Sequence, residues 1–115
     1  MKKLLIAGMA LVLAGCVAKP TMYYWGDYSD TLYLYKSEPS GQTLAKHYAS
    51  IQDVFNKSQE YGLRVPPGVN AEYATLLLKE GKKADALIYF QKEKSIYPES
   101  AVLMDRMIQM VGAQQ

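Results

Sequence analysis

A chain of 115 residues with 13 basic and 11 acidic side chains is long enough for one domain with a modest core. Its formal net charge of +2 is too small to mark a nucleic-acid binder. A single cysteine excludes an internal disulfide, and a single histidine leaves no histidine-rich metal site.

The first element is a leader. Lys2 and Lys3 precede an uncharged stretch over residues 4–13, which is too short to cross a bilayer as a helix but fits a secretory apolar region. It ends in Leu13-Ala14-Gly15-Cys16. That arrangement resembles the lipobox of bacterial lipoproteins. The resemblance implies cleavage between Gly15 and Cys16 and lipidation of the Cys16 thiol, so that residues 1–15 are removed. Two or more acyl chains anchor a protein stably, each buried CH₂ contributing about 0.8 kcal/mol. Loss of Lys2 and Lys3 leaves eleven basic against eleven acidic residues, a neutral mature chain with no charge-based case for nucleic acid. In Gram-negative sorting an Asp after the lipidated Cys signals retention at the inner membrane. Val17 stands there, so the expected location is the outer membrane, facing the periplasm.

A tether over residues 16–21 reaches roughly 17 Å, and a single domain over residues 22–112 follows. Tyr23, Tyr24, Trp25, Tyr28, Tyr33 and Tyr35 crowd its first stretch. Trp25, Tyr28, Leu32 and Tyr35 are spaced to line one helix face, although residues 32–35 also have strand-like content. Helix is preferred, because a lone strand would have no partner. The segment reads as core, as a partner-binding surface, or as an interfacial anchor against headgroups.

After a break at residues 38–41, a helix over residues 42–61 carries Leu44, Tyr48, Ile51, Phe55 and Ser58 as its apolar stripe. His47 falls off that stripe and reads as a solvated surface residue. Gly62 is the expected C-terminal cap. Arg64-Val65-Pro66-Pro67-Gly68 must be a stiff, non-helical turn, either a plain connection or a preformed edge for a partner. Asn70 is the expected N-cap of a helix over residues 71–80, with Tyr73, Ala74, Leu77 and Leu78 on one side. Gly81 ends it. Ala86, Leu87, Phe90 and Tyr97 face inward from the following helix, and Pro98 stops it. The Lys82-Lys83 and Lys92-Glu93-Lys94 clusters read as its solvated face. Ser100 then caps a final helix.

Residues 70–100 resemble a tetratricopeptide repeat, a hairpin of about 34 residues. The resemblance rests on Ala74, Leu77, Gly81, Ala86, Phe90 and Pro98. Glu93 departs from it, standing where the repeat has a small residue, which implies loose packing or a face turned to a partner. The final helix would be the solvating cap of such an array. The expected fold is therefore all-α: tetratricopeptide-like antiparallel helical hairpins with a C-terminal capping helix.

Three motifs go further. Tyr23-Tyr24-Trp25-Gly26-Asp27-Tyr28-Ser29, Gly62-Leu63-Arg64-Val65-Pro66-Pro67-Gly68, and Phe90-Gln91-Lys92-Glu93-Lys94 with Tyr97-Pro98-Glu99-Ser100 resemble a family of small bacterial lipoproteins catalogued as domain of unknown function 4810. Members are similar in being encoded beside a channel-forming lipoprotein of the curli-secretion type. No catalytic residue comes with that resemblance.

The sequence offers no Ser/His/Asp set, zinc pattern or glycine-rich phosphate loop. Asp27 and Asp30 read as turn and capping residues rather than an acid–base pair. The expectation is a non-enzymatic lipoprotein without metal or cofactor, held to the membrane by lipid and serving as a protein-binding accessory for an envelope or secretion complex. Candidate contacts are Tyr24, Trp25, Tyr28, Arg64, Pro66, Pro67 and Glu93. The alternative is a structural lipoprotein that stacks peptidoglycan sugars on its aromatic segment. The sequence sets no oligomeric state.

Overall fold

A computed structural model describes residues 21–113. The leader, Gly15, Cys16 and the tether up to Pro20 lie outside the described residues, as do Gln114 and Gln115. The described residues are all-helical, with no strand. The helices are α1 (Tyr28–Ser37), α2 (Gly41–Glu60), α3 (Val69–Lys79), α4 (Lys83–Ile96) and α5 (Ala101–Ala113), with a 3-10 turn at Pro98–Ser100 before α5.

The aromatic segment is helical only in part. Gly26 takes a left-handed φ of 49°, and a Cβ there would meet Asp53 Oδ2 and the Tyr24 hydroxyl, each at 3.1 Å. The chain therefore turns before α1, and Trp25 stands outside the helix whose face it was expected to head. Tyr28 is buried, and Leu32 and Tyr35 pack against the same core. Ser40 opens α2 with a reciprocal capping box. Its side chain accepts from the Thr43 N–H at 3.0 Å, and the Thr43 hydroxyl accepts from the Ser40 N–H at 3.0 Å.

Helix α2 is covered on two sides, which changes its reading. His47, Ile51, Val54 and Ser58 form the buried seam, while Leu44, Tyr48 and Phe55 are half-buried. The half-buried residues meet α3: Tyr48 and Phe55 both contact Tyr73 edge-on, at 5.9 and 5.4 Å. The seam meets α1, where the His47 ring lies 5.3 Å from that of Tyr28. An apolar stripe that identifies one covered face misses a second one closed by a polar side chain. The expectation of a solvated His47 is overturned: its exposure is 0%.

Helices α2 and α3 end in the same way. Gly62 and Gly81 have φ of 64° and 77°. Each sits between two closing bonds, Leu63 N–H to Ser58 C=O with Gly62 N–H to Gln59 C=O, and Lys82 N–H to Leu77 C=O with Gly81 N–H to Leu78 C=O. That is the Schellman pattern, which only a left-handed residue allows. The tight second turn makes α3 and α4 an antiparallel pair, close-packed where Ala74 and Ala86 are both fully buried.

Two cores result. Tyr28, Ile51, Val54, Val69 and Leu76 join α1, α2 and α3, whereas Ala74, Leu77, Ala86, Phe90, Met104 and Val111 join α3, α4 and α5. Tyr73 packs against both. Two capping expectations fail. Helix α3 begins at Val69, so Asn70 lies inside it, buried. Ser100 lies in the 3-10 turn and donates to the Tyr97 C=O at 2.7 Å instead of capping α5. Nor is the outer face of α5 polar: Val102, Leu103 and Met110 are more than half exposed.

Candidate functional site

The stiff turn between α2 and α3 is held from below by α4. Tyr97 donates its hydroxyl proton to the Val65 C=O at 2.7 Å. Glu93 Oε1 accepts from the Gly68 N–H at 2.6 Å, and the Asn70 and Ala71 N–H groups also favour its charged form. Helix α3 has no cap from the side chain of its own N-cap residue, and Gly68, at φ 89°, turns its N–H to the Glu93 carboxylate. Glu93 supplies the missing cap from another helix, a negative charge placed at the positive end of α3. Burial raises its ionisation above the ordinary carboxylate range, with the three N–H groups pulling the other way. Burial also pushes the Tyr97 phenol up, and the bond to the Tyr23 hydroxyl adds to it. The three sequence motifs thus converge on one joint, Tyr23 from the first, Val65 and Gly68 from the second, Glu93 and Tyr97 from the third.

Beside this joint lies a second polar cluster. His47 Nδ1 is 2.9 Å from the Thr31 hydroxyl, and Nε2 is 3.5 Å from Glu72 Oε1. The Tyr35 ring stacks over the imidazole at 6.2 Å. The neighbouring His47 imidazole, more than any other influence, holds the Glu72 carboxyl below its ordinary range. Burial, then the charges of Glu72 and Glu93, drives the Tyr28 phenol strongly upward. With the imidazole wholly enclosed, no substrate can touch it.

Of the expected contact residues, Arg64, Pro67 and Trp25 are exposed, Trp25 by 39%. Tyr24 is half-buried and donates to Asp53 Oδ2 at 2.7 Å. Tyr28, Pro66 and Glu93 lie in the interior, where no partner reaches them. Glu93 was expected to leave α4 loosely packed or to face outward; it turns inward because α3 needs an acceptor. Among the described residues no group of three or more His, Cys, Asp or Glu could hold a metal. None of their helices is long and apolar enough to cross a membrane.

Above the joint runs a groove of about 450 Å³ between the C-terminal half of α2, the turn and α4. Phe55 and Tyr89 stack within it at 5.8 Å, Arg64 and Lys92 bring two cations, and Gln52, Asn56 and Gln59 bring amides. Sequence reasoning missed all of these except Arg64. Phe55 had been assigned to a core stripe, and Tyr89 sits off the inward positions of α4.

The molecule is thus an all-α domain whose polar interior braces one rigid turn beside an open groove. The family model described as Domain of unknown function (DUF4810) matches residues 22–107, and the chain belongs to that family. No curated protein and no solved structure matches the chain.

Proposed function

We propose that the protein is an outer-membrane lipoprotein, lipidated at Cys16 and facing the periplasm. In this reading it acts as a non-enzymatic accessory or assembly factor that binds a protein of an envelope or secretion complex, such as one of the curli-secretion-channel type. The observation that carries the reading is the braced turn. Tyr97 and Glu93 fix Val65 and Gly68 from within, leaving Arg64 and Pro67 exposed on an edge that needs no ordering before it binds. The tetratricopeptide-like spacing of α3 and α4 supports it, since stacked hairpins commonly present binding faces. The enclosure of His47 and Glu93 further supports a binding role over a catalytic one. The anchor would act by confinement, raising the effective concentration of the binding edge near its client.

The test is in-cell crosslinking and affinity capture, comparing the native chain with an exported Cys16→Ser variant. One dominant envelope protein recovered with the lipidated form alone is the expected result. Recovery of nothing beyond abundant lipoproteins would overturn the reading. The half-exposed Trp25, with Tyr23 edge-on at 6.4 Å, favours peptidoglycan stacking as the second reading. Co-sedimentation with purified cell wall, lost on Trp25→Ala, would establish it.

A further inference from the structure

We propose that the groove between α2 and α4 is the docking site for an extended acidic peptide segment of a protein partner; the proposal rests on the partner-binding reading above. Charge is the first argument. Arg64 and Lys92 both line the groove, and neither has a carboxylate partner among the described residues. Each of the two cations instead lies over a ring, Arg64 over Tyr97 at 5.7 Å and Lys92 over Tyr89 at 4.4 Å. No acidic residue lines the groove. A bound carboxylate would therefore meet two cations at the groove surface, with the Glu93 carboxylate enclosed beneath the floor.

The floor supplies an independent argument. Ser58 and Asn70 line the groove at 1% and 2% exposure, and Ser58 Oγ and Asn70 Nδ2 find no hydrogen-bond partner among the described residues. Buried polar atoms are normally paired, so these two orphans, enclosed just under the groove, are groups that a further donor or acceptor would satisfy once the floor opens around a ligand. A peptide backbone carries both in alternation. On the α2 wall Gln52 Nε2 already donates to Asn56 Oδ1 at 3.3 Å, which leaves the Asn56 NH₂, the Gln52 carbonyl and the Gln59 amide to meet a peptide C=O or N–H. Phe55 and Tyr89 give the apolar surface an aliphatic side chain would cover.

The walls are set before anything binds. Leu63 is fixed by its N–H bond to Ser58 C=O at 2.8 Å, and Val65 by the Tyr97 hydroxyl. A preformed groove loses little freedom on binding, which favours recognition of a short segment.

The experiment selects binders from a random peptide display library with the full-length protein in detergent micelles. The expected result is enrichment of Asp and Glu in the retained peptides, with affinity that weakens as salt is raised. Lys92→Glu and Arg64→Glu should each weaken a selected peptide about tenfold, consistent with loss of one close charge pair. Asn56→Trp, which fills the groove from an exposed position, should abolish retention, with circular dichroism unchanged in all three variants. Peptides retained without acidic bias, or no peptide retained at all, overturn the proposal. So does binding of muropeptides in place of peptides from the library. If in-cell capture of the partner survives Lys92→Glu and Asn56→Trp, the groove assignment fails while the accessory reading stands. If nothing is captured by the native protein, the accessory reading itself fails.

Discussion

Glu93 and Glu72 put opposite slopes on stability. Burial raises the folded-state ionisation of Glu93, so the folded chain holds that proton more tightly than the unfolded chain. Stability is then lost as pH rises from the ordinary carboxylate range through the folded value. Glu72 is lowered, chiefly by the neighbouring His47 imidazole, so its contribution is present above the ordinary range and disappears as pH falls through the folded value. Urea midpoints measured across acidic pH should show Glu93→Gln flattening the first loss and Glu72→Gln the second. Curves parallel to the native protein in both variants would contradict the assignment. Tyr97→Phe removes the bond to Val65 C=O without changing shape, at a cost of about 1 kcal/mol in urea unfolding. None of these pairings was legible in the sequence. Glu93 and Gly68 are 25 positions apart, Tyr97 and Val65 are 32, and no local pattern encodes so distant a partner.

At the level of elements the sequence was far more open. Helical spacing located α2 to within a residue at each end, because Gly62 and the apolar repeat act locally; Ser40, read in the sequence only as part of the break, caps α2 through the equally local Thr43. Ser40→Ala should therefore destabilise by about 1 kcal/mol, measurable as a lowered melting temperature, since it orphans the Thr43 N–H. What failed were the starts of α1 and α3. Trp25 had the right spacing, but Gly26 turns the chain ahead of Tyr28. Asn70 was the nearest residue able to cap α3, yet the cap comes from another helix and leaves Asn70 on the groove floor. Gly26→Ala should lower the melting temperature, because the new Cβ meets both Asp53 and Tyr24 at an unfavourable φ.

Across the whole molecule, two cores meet at Tyr73, and each helix leans chiefly on its chain neighbours. Phe90 is 1% exposed at the centre of the second core. Phe90→Ala should cost about 3–5 kcal/mol, a large share of the roughly 5–15 kcal/mol available to a domain. Urea unfolding with a transition well below that of the native protein is the expected outcome. The candidate site shows the same division as the elements do. Arg64 and Pro67 stood out in sequence as a rigid turn, whereas Lys92, Asn56 and Tyr89 became neighbours only through the packing of α2, the turn and α4.

The proposed lipid-anchored domain would capture a protein partner through one face. Photo-crosslinking in cells from position 56, inside the groove, against position 38, exposed before α2, tests it most directly. One envelope-protein adduct is expected from position 56, absent from position 38 and lost with Lys92→Glu. No adduct, or the same adducts from both positions, would contradict it.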